Sequence, residues 1–505
     1  MSSDAPNVSN SEDNKDKTPA WRPPVLNKQS AAELGEAPHP SNPVAEIRGK
    51  IYPRSVTGTF ANWRIVFVYL TQIIFYGLPW LQWNDRQAVL FDLGARKFYL
   101  FGLVLWPQDI IYLTVLLIIS AYGLFLFTAL AGRLFCGYAC PQTVYTEIFM
   151  WIERKVEGDR VQRIRLDEQP MNMRKLRLKA TKHFLWLAVA FWTGFTFIGY
   201  FAPIRDLGHN IIYLTLGPWQ WFWLVFYSIA TWGNAGFLRE AVCKYMCPYA
   251  RFQSVMVDDD TMVVSYDYVR GEPRGGRSRS IDHKEAGLGD CINCTLCVQV
   301  CPTGIDIRDG LQYMCIGCGH CVDVCNEVMD KMGYEPNLIR YTSGRAIRER
   351  LTQSEARKRI FRPRVLVYTG LLLIIVAVFI GSLMTRSTLK MDVIRDRGVL
   401  GRIVDERLIE NVYRLQIANT REEPVQIVLS VSGLEGIEIL NADNGTNKVI
   451  IEPASNQLVP VVIRAPYEPA LTSGMHPIEI EISTDPVVGR EESAKERSNF
   501  YVPQN

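Results

Sequence analysis

CINCTLCVQVCP at 291–302 and CIGCGHCVDVCN at 315–326 decide how the rest of the chain is read. Each block holds four cysteines in the spacing C-x2-C-x2-C-x3-C. A [4Fe–4S] cluster needs four thiolates around a cuboid. In a two-cluster ferredoxin, three close cysteines serve one cluster and the fourth cysteine of the run crosses to the other. The spacing therefore assigns Cys291, Cys294, Cys297 and Cys325 to one cluster, and Cys315, Cys318, Cys321 and Cys301 to a second. Cysteines kept only for packing or disulfides seldom repeat one spacing twice. Pro302 follows the first block and Asn326 the second. Neither is a ligand, so both blocks are read alike.

Five apolar runs surround these blocks, at 64–83, 109–130, 184–203, 218–238 and 365–384. Each is close to the length of about 20 residues that spans a bilayer. The first and fourth are rich in Trp, Tyr and Phe, which suit membrane interfaces. The connection 131–182 carries eleven Lys and Arg, and 345–364 carries eight, whereas 84–97 and 204–217 carry three and one. By the positive-inside rule the amino terminus, 131–182 and 239–364 are expected in the cytoplasm, with the carboxyl-terminal region across the membrane. All twelve cysteines fall between 136 and 325. None lies in the exported part, where oxidation to disulfides is favoured, so they read as metal ligands. The net charge of +3 is too small to point to nucleic acid, and no such partner is expected.

In chain order, 1–50 is polar and reads as a disordered cytoplasmic tail. Residues 51–257 read as a four-helix transmembrane region, within which 98–106 (FYLFGLVLW) is expected along the interface or at the start of the second span. Residues 258–345 read as a cytoplasmic ferredoxin domain preceded by a linker. In that linker Asp258-Asp259-Asp260 reads as a solvated turn and GEPRGGRSRS as flexible chain. Residues 346–388 hold a basic segment and the fifth span. Residues 389–505 read as the exported domain, and within them 405–505 alternates apolar and polar in runs such as LQIAN, VQIVLSV and IEIEIST, which predict about seven short strands in an immunoglobulin-like sandwich. The fold class expected is thus a multidomain membrane protein with five transmembrane helices, an α+β two-cluster ferredoxin domain and an all-β carboxyl-terminal sandwich.

A second set of sulfurs recurs after each helix pair. Cys136-Gly137-Tyr138-Ala139-Cys140-Pro141 and Cys243-Lys244-Tyr245-Met246-Cys247-Pro248 share the frame C-x3-C-P. Residues i and i+4 share a helix face, so each pair can chelate, and the prolines kink or restart the helix beyond. Four thiolates suit a third iron–sulfur cluster or zinc, and two or three suit Cu(I), with Met246 a thioether candidate. Arg133 and Arg239 read as partners of Glu147 and Glu240 at the membrane edge. Haem is disfavoured: none of the six His lies inside a span, and His183 and His209 sit at opposite ends of one. His320, between Cys318 and Cys321, reads as a surface residue. No nucleotide fingerprint or hydrolytic triad is present, so the electron donor is expected to be another protein or a diffusing reductant.

With both C-x3-C-P boxes, the eight-cysteine block, the spans and the sandwich taken together, the chain resembles the CcoG/FixG/RdxA family of cytochrome c oxidase accessory proteins over roughly 45–505. The resemblance implies a bacterial inner-membrane protein that reduces Cu(II) to Cu(I) for assembly of a cbb3-type oxidase. It implies partners among copper chaperones or oxidase assembly factors, and a homodimer is compatible with it. Carried onto this sequence, the cluster ligands are the eight cysteines above, and the boxes are Cys136/Cys140 and Cys243/Cys247. Two other roles fit the same parts: a quinone-linked electron carrier, and a redox-sensing assembly scaffold without catalysis.

Overall fold

The structure is a computed structural model that describes residues 50–503 except 279–281, 283, 396–400, 405–407, 443, 468–471 and 485–491. The tail read over 1–50 lies outside the described residues apart from Lys50. The long helices are α1 (Thr59–Gly77), α2 (Ile110–Ala131), α3 (Pro141–Glu157), α4 (Met173–Ile198), α5 (Pro218–Gly233), α6 (Pro248–Met256), α7 (His320–Met332) and α8 (Pro363–Met384). All five apolar runs are largely helical, although Gln82–Trp83 at the end of the first forms a short strand. Among the described residues two stretches are long and apolar enough to cross a membrane, Pro107–Ala131 and Pro363–Met384. The other three fall short for visible reasons. Arg64 interrupts the run of α1. The first third of α4 is basic. Helix α5 ends after 16 residues, where the backbone widens into a π turn at Asn234–Leu238.

The stretch 98–106 is neither interfacial helix nor span. Val89–Asp92, Lys97–Leu100 and Leu103–Leu105 form a three-stranded antiparallel sheet, with Phe91 opposite Phe98 and Phe98 opposite Leu105. Phe101-Gly102 makes the tight turn, and Phe101 takes φ +52°. Short hairpins need positive φ at such a position.

The chain forms two compact units. Among the described residues one comprises 50–76, 120–197 and 217–372, the other 77–119, 198–216 and 373–503. In the first unit the ferredoxin region closes on itself. Val263–Tyr266 pairs antiparallel with Ile339–Thr342, and α7 packs beside them through Val322, Val328 and Met329. Gly319 opens α7 at φ +76°, and a Cβ there would lie 2.5 Å from the Phe60 ring. Only glycine meets both conditions without cost.

Asp323, one turn into α7, caps a helix far away in sequence. Its carboxylate accepts from Phe60 N at 3.2 Å and Ala61 N at 2.8 Å, two of the orphan amides at the start of α1. Asp323→Ala is expected to lower stability by about 1–2 kcal/mol, with Asp323→Asn closer to wild type. Thermal unfolding of the detergent-solubilised protein checks this, and equal melting of wild type and alanine variant would contradict it.

The expected linker is a pinned strap over its described part. Arg270 binds Asp290 at 2.5 Å and Pro336 O at 3.0 Å. Arg277 binds Tyr334 Oη at 3.0 Å and Gly289 O at 2.7 Å. The acidic run is not a solvated turn either. Asp258 holds Arg362 at 2.5 Å and Arg364 at 3.2 Å, Asp259 holds Arg348 at 2.9 Å, and Asp260 holds Arg345 at 3.1 Å. Much of the basic charge before α8 is therefore locally neutralised.

In the second unit nine strands, rather than about seven, build the carboxyl-terminal sandwich among the described residues. One sheet runs Glu438–Asn441, Ser455–Pro466, Leu408–Asn419, Leu389–Arg395, with Arg402–Val404 also on Leu408–Asn419. The other runs Lys448–Ile451, Val425–Ser432, Gly474–Thr484, Ser493–Val502. Alternate residues such as Tyr413, Leu415, Ile417, Ile480 and Phe500 are fully buried between them, as period-two strands in a sandwich require. Segment 77–119 belongs to this unit. Asp109, almost fully buried, holds Arg386 at 2.5 Å and Lys390 at 2.7 Å.

Candidate metal centres

The ferredoxin cysteines line two adjoining cavities in the first unit. One is lined by Cys291, Cys294, Cys297 and Cys325. The other is lined by Cys301, Cys315, Cys318 and Cys321, with Cys297 on the shared wall. The crossing of Cys325 and Cys301 follows from local geometry. Each block places three cysteines around a loop of positive-φ residues, Asn293 and Thr295 in the first and Gly317 and Gly319 in the second. Each then enters a helix that carries its fourth cysteine away from that loop. Electrostatics sort the thiols into the same sets. Burial first, then Cys297, Cys291 and Cys294, pushes Cys325 up to about 12. Burial first, then Cys318, Cys315 and Cys301, pushes Cys321 well up. Buried thiols so raised become thiolates only around a strong positive charge.

No three side chains of His, Cys, Asp or Glu among the described residues stand close enough to hold one metal ion. Four thiols around a cavity, with no other ligand type in either set, fit the donor set of a [4Fe–4S] cluster. Such a cluster, when bound, exchanges single electrons.

His320 is not a surface residue. Arg64 Nη1 lies 3.5 Å from its Nε2, and burial, then that guanidinium, pushes the imidazole down to about 3. Arg64 also pairs with Glu147 at 3.2 Å, and Arg154 with Glu147 at 3.0 Å. Glu147 thus does not pair with Arg133, and Arg239 turns to Glu153 at 2.9 Å rather than to Glu240.

The C-x3-C-P boxes are not two cysteines on one continuous helix. Cys136 lies in the short helix Leu134–Tyr138, which stops before Cys140. Cys140 (φ −63°, ψ 127°) is the N-cap of α3, with Pro141 at N1. In the second box Val242–Met246 is a π turn, and Cys247 (φ −80°, ψ 110°) is the N-cap of α6, with Pro248 at N1. The prolines restart helices, a position proline favours. Met246 is 62% exposed and does not line the cavity reached by Cys243.

The first box is packed against the second ferredoxin loop. Cys136 is buried against Ile316 and Cys318, and Tyr138 Oη donates to Cys318 O at 3.1 Å. A Cβ on Gly137 would come within 2.8 Å of Ile316 O and 3.1 Å of Cys318 Cα, so glycine there allows the approach. Arg133 donates to Tyr313 O and, at 2.9 Å, to Gln253 Oε1. A third cavity is lined by Cys243, Glu240, Arg239, Gln142 and Arg64, and it shares Pro302, Thr303 and Ile316 with the cavity of Cys318. Sequence reading makes the boxes the output of the ferredoxin block, but it gives no contact between them; Gly137 is the residue whose missing side chain permits it.

Comparison with known proteins agrees with this assembly of parts. A 4Fe-4S dicluster domain matches 238–344. A 4Fe-4S binding domain matches 113–157, a stretch whose only cysteines are Cys136 and Cys140. The Ig-like fold at the C-terminus of FixG, a putative oxidoreductase, matches 379–503. The nitrogen fixation protein FixG of Rhizobium meliloti is 35% identical over 447 residues, covering 82% of this chain and 85% of its own. Protein RdxA of Cereibacter sphaeroides is 38% identical over 79% of this chain and 85% of its own, and RdxB of the same organism is 38% identical over 81% and 87%. With iron–sulfur and FixG-type terminal domains in the chain, and relatives 35–38% identical over about four-fifths of its length, the chain belongs to the FixG/CcoG family of iron–sulfur redox proteins.

Proposed function

We propose that the chain is an inner-membrane electron-transfer protein that reduces Cu(II) to Cu(I), supplying copper for assembly of a cbb3-type oxidase. The observation that carries this reading is contact. The loop of Cys315 and Cys318 touches Cys136 directly, and the Cys243 cavity shares a wall with theirs. Sulfur ligands favour Cu(I) over Cu(II), so thiols at the end of this path favour the reduced ion. One electron enters from a cytosolic donor and one leaves to each Cu(II). No bond is broken.

Membrane insertion with five spans is supported by two features. Apolar side chains cover the outer faces of the helices, among them Ile73 at 68%, Phe184 at 70%, Trp219 at 73% and Val367 at 65% exposed, far more than a soluble surface carries. The chain also passes between its two units five times, within or beside the five apolar runs. The segments read as cytoplasmic fall in the first unit, and those read as exported fall in the second. The sandwich is then periplasmic, placed to meet assembly factors or copper chaperones.

The test is the quadruple variant with Ser at positions 136, 140, 243 and 247. Cu(II) reduction by the purified protein, followed with a Cu(I)-specific chelator, should fall at least tenfold while the ferredoxin clusters keep their visible absorbance. Unchanged reduction would sink the proposal. A second reading, electron exchange with a quinone, is favoured by the cavity beside Cys243, where arginine, glutamine and carboxyl groups meet. Quinol-dependent reduction of the protein without any effect of copper would select it.

A further inference from the structure

The two boxes come together through named contacts. Cys136 Sγ lies 3.4 Å from Gln253 Oε1 on α6, the helix that Cys247 caps. Gln142, two residues beyond Cys140, donates to Arg239 O at 3.1 Å and Asn234 O at 3.0 Å, just ahead of Cys243. Tyr249, two residues beyond Cys247, packs on Cys136. Cys140, Cys136 and Cys247 all act electrostatically on Cys243, as does Arg133. Four thiols from two boxes about a hundred residues apart thus face one region. As with the ferredoxin cysteines, no three of them are close enough for one metal ion.

The surroundings are cationic. Arg133 and Arg239 are both at least nine-tenths buried. Arg133 acts on Cys136 and Cys243, and on Cys315 of the neighbouring loop. Arg239 lines the cavity with Cys243; its Nη2 pairs with Glu153 at 2.9 Å, and its Nη1 has no hydrogen-bond partner. Cys140 and Cys247 each cap a helix, α3 and α6, whose N-terminal amides carry roughly half a positive charge. Two arginines and two helix ends suit an anionic tetrathiolate centre. A two-thiolate Cu(I) site carries one negative charge and calls for less.

We propose that Cys136, Cys140, Cys243 and Cys247 jointly ligate a third [4Fe–4S] cluster. The inference deepens the electron-transfer reading and rests on it only for the purpose of the site. Its resident metal is iron; with the four thiolates engaged, Cu(II) is the substrate that receives the electron rather than an ion held by the box sulfurs. The family match of a 4Fe-4S binding domain to a stretch holding only Cys136 and Cys140 points the same way.

Iron and acid-labile sulfide per chain, measured on anaerobically purified full-length protein, decide the matter. About twelve irons are expected, and about eight overturns the proposal. The quadruple Ser variant should lose about four irons and keep about eight. If it folds poorly, the single variant Cys140→Ser, at a solvent-accessible helix cap, supplies the same readout of iron lost. Iron content unaffected by either variant overturns the assignment, as does about one copper per chain removed by the quadruple change. About twelve irons without Cu(II) reduction would sink the copper reading but keep the cluster. About eight irons with full Cu(II) reduction would do the reverse.

Discussion

Glu153→Ala is expected to lower stability by about 3–5 kcal/mol, the cost of stripping one partner from a buried ion network. Glu153 is completely buried on α3. Around it stand Arg239 at 2.9 Å, Lys50 at 3.1 Å, Arg163 at 3.2 Å and Lys182 at 3.7 Å. Burial alone would push the carboxyl up. Arg239, Lys50, Lys182 and Arg163 outweigh it and hold the group down at about 2. Removing the carboxylate leaves Arg163 and Arg239 desolvated without their counter-charge. It also frees Arg239, whose backbone sits at φ +42°, ψ −114°, a conformation that an arginine adopts only when its surroundings impose it. Disorder there reaches Cys243, four residues on. The melting temperature of the solubilised variant should fall, Glu153→Gln should lie between, and Arg163→Met combined with Glu153→Ala should cost less than the two single changes added. The same group sets an acid limit. Because its folded pKa lies below the ordinary carboxylate value, its stabilisation is full above about pH 4.5 and is lost as pH falls towards 2, about 3 kcal/mol in all. A melting temperature equal to wild type in the alanine variant would refute the network's role.

What the sequence made legible was whatever is encoded by spacing. The two cluster sets could be named from 291–325 because three ligands of each lie close together in one block and the fourth cysteine of that block, one turn further on, serves the other set. The sandwich was readable because its strands alternate. Its extra strands, Leu389–Arg395 and Arg402–Val404, were missed because both precede residue 405, where the clear alternation begins, and the first follows closely on an apolar helix. The errors share one cause. GEPRGGRSRS has the composition of a free linker, but Arg277 finds Tyr334 and the Gly289 carbonyl, partners that composition does not register. His320 looked like a surface residue because its type is polar, but Arg64, 256 residues away, lies against it. Glu147 and Glu240 were matched to arginines near the boxes, whereas the fold gives Arg239 to Glu153, two helical turns further along α3. The meeting of the first box with the second ferredoxin loop was illegible for the same reason. It depends on a missing side chain at Gly137 and on Arg133 reaching the Tyr313 carbonyl, neither of which leaves a periodic trace.

Cys294→Ala and Cys318→Ala should part company when electrons are supplied artificially. Cys294 is exposed, and its cavity adjoins the Cys318 cavity but shares no lining residue with that of Cys243. Cys318 is buried against Cys136, and its cavity is the one that shares Pro302, Thr303 and Ile316 with Cys243. The two ligand sets are therefore in series, Cys294 on the side of solvent and Cys318 on the side of the boxes. Each variant should lose about four irons. With a protein donor both should fail to reduce Cu(II). With a small low-potential dye that can reach the interior set directly, Cys294→Ala should recover much of its activity, and Cys318→Ala should stay at least tenfold below wild type. The iron counts keep the result interpretable, since a variant that lost both clusters would show about eight fewer irons rather than four. Equal rescue of the two variants by the dye would mean that electrons reach the boxes without passing the Cys318 loop, and the contact between Gly137 and Ile316 would then serve packing alone.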